Sequence, residues 1–499
     1  MTMLLSPATM RELEQERIAT GTPATTLVRT AGEACATAIT ARFPSLRRVL
    51  VCAGPGNNGA DGLVCAARLA RQGVSVTVIT WHRPMADDWL HDALLAGIEH
   101  IENWDVLAVE SLLPHVDLVV DGLLGIGLNR PPADMLAALI TVLNARRSRL
   151  PLVAIDIPSG CNARDGSILG AAVRADLTLS TGPRKHGLHL LPTMHMTGSV
   201  VDLDIGISIP EYDRRATRLL DAKSVATMLP ERSADSYKGS YGIVCVWAGS
   251  PQFPGAAHLA ALATARTGAG IVTLAGAPTA LPLAWPTPEV TLAPFDQEPL
   301  DVLVQSHFTN YLIGPGIGRA ATTATLLKDF LASPDVAGRP VVIDADALTL
   351  LARIPDWPQH IGALPCVLTP HYGELRRLAG GTCIDLPLIP MAQHYAKTWG
   401  QVVVMKGSVT VVASPDGRTS LWAHPNPTLA IGGSGDVLAG IIAGLIAQHC
   451  DLYSAACAGV AIHGMAGTTV AQTHGNGGAL AGDVIACIPT VLTSLGAHR

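Results

Sequence analysis

The chain has 499 residues, of which 48% are hydrophobic and 15% charged, and a formal charge of −6 at neutral pH. That length exceeds what one hydrophobic core usually supports, so two domains of roughly 200 to 280 residues are expected. The acidic balance, with neither a basic tail nor a dense Lys/Arg stripe, argues against nucleic acid as a partner, and the 4% aromatic content argues against base-stacking surfaces.

Abundant glycine and proline, 49 and 35 residues, fit compact α/β domains with many tight turns. The ten cysteines form no CxxC pair and mostly sit in apolar patterns, as reduced core residues would. Arg11, Glu12, Glu14, Glu16 and Arg17 interrupt the start of the chain where a signal peptide would be apolar, so a cytoplasmic location is expected. The apolar run Val437 to Ala447 is too short to span a bilayer and reads as a buried helix, so no membrane partner is expected.

Arg48 to Ala53 reads as a buried strand, Asp61 to Arg71 as a helix and Ser75 to Thr80 as the next strand, a βαβ unit with a glycine-rich turn at its first strand end. Val116 to Val120, Leu152 to Ile155, Ala175 to Ser180 and Val200 to Leu203 continue a parallel sheet. The stretch Glu211 to Ser236 is charged and irregular, which places a boundary near residue 215 and gives domains 1–215 and 216–499. Tyr241 to Trp247 opens the second sheet. A small-residue helix, Ala256 to Arg266, follows, then strands at Gly270 to Leu274, Asn310 to Ile313, Val341 to Asp344, Cys366 to Thr369 and Val402 to Met405, and a helix from about Gly435. Both domains are α/β, the first a Rossmann-like three-layer fold.

In the first half, Gly54-Pro-Gly-Asn-Asn-Gly-Ala-Asp-Gly62 lies between strand and helix, where backbone N–H groups and the helix start favour an anion. It lacks the Lys of a GxxxxGK[ST] phosphate loop. Asp121-Gly-Leu-Leu-Gly-Ile-Gly-Leu-Asn-Arg130 and Asp156-Ile-Pro-Ser-Gly160 follow two further strands. Side-chain oxygens of Asn58 and Asp121 with an oxygen of Ser159 would make a hard site for an alkali cation, although residue types alone leave K+ and Mg2+ both open. Asp156, which begins a Pro-containing turn, is the better catalytic candidate.

In the second half, Gly432, Gly433 and Gly435 precede an apolar helix and leave its first N–H groups aimed at an anion, with Asp436 beside them. Asp436 would either cap that helix or accept a proton from a substrate hydroxyl, coupled to formation of a phosphorus–oxygen bond. Lys406-Gly-Ser-Val-Thr410, Thr369-Pro-His-Tyr-Gly-Glu374, Asp344-Ala-Asp346 and Gly314-Pro-Gly-Ile-Gly318 all follow strands, which argues for one shared cleft. His463 and His474 lack ligand-spaced partners and read as structural rather than zinc-binding. Cys161 has no paired base and reads as a non-nucleophilic thiol.

The GPGNNGADG, DGLLGIG and DIPSG motifs resemble the NAD(P)H-hydrate epimerase domain across roughly residues 10 to 210. Ala60 stands where that family has a second glycine, and Leu27 to Gly32 departs from its LMERAG-like segment. The resemblance implies interconversion of the R and S forms of hydrated NADH or NADPH. It assigns Asn57, Asn58, Gly59, Ala60 and Asp61 with Gly125, Ile126, Gly127, Leu128, Asn129, Arg130 and Pro131 to the dinucleotide, Asp156 to catalysis, and Asn58, Asp121 and Ser159 to K+.

KGSYG from Lys238, PGAA from Pro254, GPGIG, VIDADAL, TPHYGE, KGSVT and GGSGDVLAG resemble the ribokinase-like ADP-dependent NAD(P)H-hydrate dehydratase over about residues 225 to 495. That resemblance implies that ADP phosphorylates the ring hydroxyl of the S hydrate, and that loss of phosphate restores NADH or NADPH with AMP as coproduct. It assigns hydrate binding to Ala257, Gly316, His371 and Asp436, nucleotide binding to Lys406, Gly407, Ser408, Val409, Thr410 and Gly435, and the base to Asp436. Tyr372 stands where the family often has Pro, and Thr349 where it often has Asn. Mg2+ is expected with the ADP, and the expected partners are small-molecule nucleotides in a homo-oligomer. Two other readings fit the same residues: an ATP-preferring kinase for a small vitamin-like alcohol, and a first half that binds dinucleotide without catalysis.

Overall fold

The computed structural model describes residues 2–210, 213–285, 287–296, 298–362 and 364–496. Glu211 and Tyr212, which open the charged stretch, lie outside the described residues. The chain forms two compact units, Thr2–Thr217 and the chain from Arg218 onward.

The first unit carries a seven-stranded parallel sheet in the order Glu99–Ile101, Ser75–Thr80, Arg48–Ala53, Leu118–Gly122, Leu152–Ile155, Leu177–Thr181 and Ser199–Leu203. Alternating residues of Arg48–Ala53 serve opposite faces, which is why the strand reads as continuously apolar. Val49, Val51 and Ala53 pack with Cys35, Ile39 and Leu63 from the helices Ala24–Arg42 and Asn57–Arg71. Leu50 and Cys52 pack with Val109, Leu136 and Ile140 from Val106–Leu112 and Asp134–Arg146. Helices therefore cover both faces, giving three layers. Chain order reverses between Arg48–Ala53 and Leu118–Gly122, so a crevice opens beyond the ends of those two strands.

The sheet of the second unit runs Val290–Pro294, Ile271–Gly276, Ile243–Trp247, Asn310–Ile313, Val341–Ile343, Cys366–Leu368 and Val402–Met405, all parallel. The antiparallel strands Thr410–Ala413 and Thr419–Trp422 continue it. The sequence reading contained neither Val290–Pro294 nor this hairpin, and it carried Val341 and Cys366 one residue too far, into Asp344 and Thr369. Asp344 instead takes the N-cap position of the helix Ala345–Leu351.

One face of this sheet is covered by Pro254–Thr267, Ser434–Ala447, Leu452–His474 and Ala481–Ser494. Small residues set how closely these helices cross. A Cβ on Gly440 would lie 2.5 Å from Ala260 O, and one on Gly444 would lie 2.7 Å from Thr264 O. The apolar Val437 to Ala447 stretch is thus buried by packing, and among the described residues no helix is long and apolar enough to cross a membrane. All ten cysteines are free, and seven are buried, as a reduced core requires.

Candidate active sites

At the crevice of the first unit, the turn after Arg48–Ala53 is shaped by two glycines. A Cβ on Gly54 would sit 1.7 Å from Leu123 O, and one on Gly59 would sit 2.0 Å from Gly54 O, so neither position accepts a side chain. Arg83 holds the turn from the far side. Its buried guanidinium donates from Nε to Gly54 O at 2.9 Å and from Nη2 to Gly56 O at 2.7 Å, and pairs with Asp87. Ala60 meets no such constraint: its N–H donates to Gly56 O at 3.1 Å inside the helix Asn57–Arg71, and its methyl is buried. Asn57 is exposed at the helix start, while Asn58 and Asp61 are buried.

Asn58, Asp121 and Ser159 converge. Ser159 donates from Oγ to Asp121 Oδ1 at 2.6 Å and from its N–H to Asp121 Oδ2 at 2.9 Å. Asn58 Nδ2 donates to Leu124 O at 3.1 Å, whereas Asn58 Oδ1 is buried without a hydrogen-bond partner. An orphaned buried carbonyl oxygen beside a carboxylate and a hydroxyl is a donor set that suits a hard cation. Gly125 abuts Asn58, and Gly127, Asn129, Arg130 and Pro131 are exposed beyond it, with Ile126 and Leu128 half-buried.

Asp156 is buried and holds φ +64°, a left-handed conformation uncommon for a residue with a side chain. Its N–H donates to Leu179 O at 2.7 Å, its carboxylate accepts from Thr181 Oγ1 at 2.9 Å, and Lys185 Nζ donates to the same Oδ1. Lys185 Nζ also donates to Thr181 O at 2.8 Å, and its side chain is buried throughout its length. Burial, then the charges of Asp156 and Glu14, push the Asp61 carboxyl well above the usual carboxylate range. Burial likewise raises Glu14, against the pull of Lys185. The sequence reading did not single out Glu14, Arg83, Thr181 or Lys185 as site residues. Lys185 had one available signal, its place just past the end of a buried strand; the others are long-range partners that no local pattern marks.

In the second unit, Gly433 takes φ +85° before the helix Ser434–Ala447, and Gly435 lies in its first turn. A Cβ on Gly435 would come 3.5 Å from Lys406 Nζ and 3.9 Å from Asp344 Oδ2. Lys406 Nζ donates to Asp344 Oδ1 at 2.7 Å and stands 3.9 Å from Glu374 Oε2. Thr369 Oγ1 shares the Asp344 oxygen at 2.7 Å. Burial opposes the Lys406 charge, but Asp344 and Glu374 outweigh it and hold the ammonium above its ordinary pKa. Burial chiefly, then Asp344, pushes the Asp436 carboxyl up to about 7, although Lys406 acts the other way. A carboxyl poised there exchanges a proton near neutral pH beside a fixed cation and a helix start.

His371 caps the helix Tyr372–Leu378 by accepting at Nδ1 from the N–H of Gly373 at 3.0 Å, while Glu374 Oε2 accepts from the His371 N–H at 2.9 Å. The exposed imidazole is thereby fixed beside the cleft. Gly407 and Ser408 are exposed, whereas Val409 and Thr410 are buried, Thr410 as the first residue of a strand. Gly316, at φ +63°, lies against Phe253 and Ala256, and the Gly249 N–H donates to Pro315 O at 2.7 Å, so two glycine turns are tied together. Ala257 is fully buried behind Gly249 rather than on the cleft surface. His463, read from sequence as structural, accepts or donates a 3.0 Å hydrogen bond with Ser434 Oγ, and burial lowers its pKa to about 4. It supports the helix start from behind. Burial pushes the Cys161 thiol up to about 11.

The second unit's sheet and glycine-edged cleft define a ribokinase-like α/β protein. A ribokinase-like superfamily protein from Enterococcus faecalis V583 superposes with TM-score 0.50 at 26% identity, covering 58% of this chain and 99% of that one. The family described as NAD(P)H-hydrate dehydratase matches residues 244–490, and the one described as YjeF-related protein N-terminus matches residues 24–187. The bifunctional NAD(P)H-hydrate repair enzyme of Salinibacter ruber is 37% identical over 94% of this chain and 92% of its own length. That of Coxiella burnetii is 36% identical over 97% and 98%. The chain belongs to the family of bifunctional NAD(P)H-hydrate repair enzymes.

Proposed function

We propose that the chain repairs hydrated NADH and NADPH, the Thr2–Thr217 unit equilibrating R and S hydrates and the following unit dehydrating the S form with ADP. The observation that carries this reading is the meeting of Asp436, Lys406 and Asp344 at the start of the helix Ser434–Ala447. As the ring hydroxyl attacks the β-phosphorus of ADP, Asp436 accepts its proton, and the bond to the departing AMP breaks. Lys406 and the helix N–H groups offset charge on the moving phosphoryl group. The carbon–oxygen bond then breaks, phosphate leaves, and loss of the neighbouring ring proton restores the double bond of NAD(P)H.

Within that unit, Gly316 and His371 border the hydrate, Ala257 shapes its turn from beneath, and Lys406 to Thr410 with Gly435 hold the nucleotide. In the first unit Asp156 acts at the hydroxyl-bearing carbon, with Asn57 to Asp61 and Gly125 to Pro131 holding the dinucleotide. Asn58, Asp121 and Ser159 would hold K+, whose charge would help fix the loop against a dinucleotide phosphate. Among the described residues no three His, Cys, Asp or Glu side chains converge as a metal cage, and Mg2+ is assigned to the phosphates of ADP. A cytoplasmic homo-oligomer acting on small-molecule nucleotides completes the proposal. The whole-length relatives favour repair over an ATP-dependent small-alcohol kinase.

The test gives purified protein R or S hydrate with ADP or ATP and follows recovery of reduced-nicotinamide absorbance together with AMP. Accumulation of a stable phosphorylated alcohol without return of that absorbance would replace the repair reading with the kinase one.

A further inference from the structure

The first unit has a second concavity, at the end of its sheet opposite Asp156. A cavity of about 370 Å³ opens where the strands Leu152–Ile155, Leu177–Thr181 and Ser199–Leu203 begin, and the ends of the helices Ala24–Arg42 and Asp134–Arg146 wall it. The first two strands are four and five residues long, so roughly 13–17 Å of sheet separates the cavity from the crevice that holds Asp156. Arg42, Arg147 and Arg149 line it, with Asp176 as the one carboxylate. That carboxylate is already engaged: Oδ1 accepts from Arg147 Nε at 2.8 Å and Oδ2 from the Leu152 N–H at 3.0 Å. Among the described residues neither the Arg42 nor the Arg149 side chain has a hydrogen bond or an ion pair, and both residues are exposed, so a ligand reaches them from solvent. Arg42 lies in the last turn of its helix, where a cation offsets the helix's negative end. Arg149 has no such role: it lies in a turn beyond its helix, and its backbone N–H rather than its guanidinium meets Arg146 O, at 3.0 Å.

The remaining wall is apolar. Phe43, half-buried, presents a ring whose centroid is 5.9 Å from Arg42 Cζ, and Leu150, Pro151 and Leu177 line the same cavity. Two unneutralised guanidinium groups beside an aromatic face, on a chain of formal charge −6, select an anion that carries a flat ring. We propose that this cavity is a binding site for a nucleoside monophosphate, with the phosphate held by Arg42 and Arg149 and the base against Phe43. Volume sets the size of the ligand: about 370 Å³ is at the small end of the range for ligand pockets, which suits one nucleotide rather than a dinucleotide. The site is therefore distinct from the crevice at Asp156 both in place and in ligand.

Hydrogen exchange of the full chain, read by mass spectrometry with AMP, ribose 5-phosphate or inorganic phosphate added, tests the site. AMP at about 5 mM is expected to slow exchange about threefold in segments 40–47 and 145–152. The double variant Arg42→Ser, Arg149→Ser should raise the AMP concentration needed for half of that protection about tenfold. Phe43→Ala should raise it about fivefold while leaving the weaker response to inorganic phosphate unchanged. Unchanged exchange in the buried strand Leu118–Gly122 reports that each variant is folded. No protection of these segments by AMP, or equal protection in the folded double variant, overturns the site. Equal protection by ribose 5-phosphate and AMP overturns the nucleoside assignment, and the proposal with it. Neither segment includes Asp156 or the residues from Lys406 to Thr410, so AMP held at Lys406 does not mimic the response, and the outcome is independent of the repair reading.

Discussion

Asp436 is held where a carboxylate is uncomfortable, since burial and the neighbouring Asp344 both favour its protonated form. The raised value of about 7 lies above the ordinary 3.8, so between those limits the folded protein binds a proton that the unfolded chain does not. Stability from this group is complete below the ordinary value and is lost as pH rises through about 7. Asp436→Asn is therefore expected to raise Tm at pH 8 by about 2–8 °C. The same variant should lower kcat for dehydration about 10²–10⁴-fold, the usual contribution of a positioned base. In the wild type, the acid limb of kcat/KM should fall as pH drops through about 7; a rate flat from pH 5.5 to 8 would contradict a base role. Lys185 presents the opposite case, a buried cation whose partner is Asp156. Lys185→Met strands that carboxylate and should destabilise the first unit by about 3–5 kcal/mol, read by denaturant unfolding of that unit. Such pairings were invisible in sequence, because Lys185 and Asp156 are joined only by the adjacency of two strands.

The junction of the strand Arg48–Ala53 with the helix Asn57–Arg71 was legible, because glycines at a strand end followed by a helical period leave few alternatives. What sequence could not rank was which glycine matters. Gly59→Ala pushes a methyl into Gly54 O and is expected to abolish epimerisation and release the turn, seen as lost dinucleotide binding in titration calorimetry. Ala60→Gly, although it restores the family motif, only loosens a helix: stability should fall by about 0.5–1 kcal/mol, measured by urea unfolding. The hairpin Thr410–Ala413 and Thr419–Trp422 escaped notice for a different reason. Its first residue, Thr410, also ends the Lys406 to Thr410 motif, which masks the β pattern of Thr410 to Ala413. The long helix Leu452–His474 is so rich in small buried residues that it carries little amphipathic signal.

At the scale of the molecule, α/β character and the glycine-edged turns of both units were readable from apolar runs and the residues that end them, and the sheet orders were not, since pairing depends on contacts far apart in sequence. The two chemistries should separate by mutation. Asp156→Ala is expected to keep turnover of S hydrate and lose accelerated use of R hydrate, whereas Asp436→Ala should recover NADH from neither. Mixing the two variants should restore recovery from R hydrate, because the hydrate diffuses; a mixture no faster on R hydrate than Asp156→Ala alone would show that the released S form does not reach the second protein.

Carrying both units on one polypeptide also fixes their dosage. Every ribosome that finishes this message delivers one epimerising site with each consuming site, so transcriptional noise cannot leave a cell with an excess of either. A damaged cofactor pool then drains at a tempo set by two rate constants rather than by the relative abundance of two gene products.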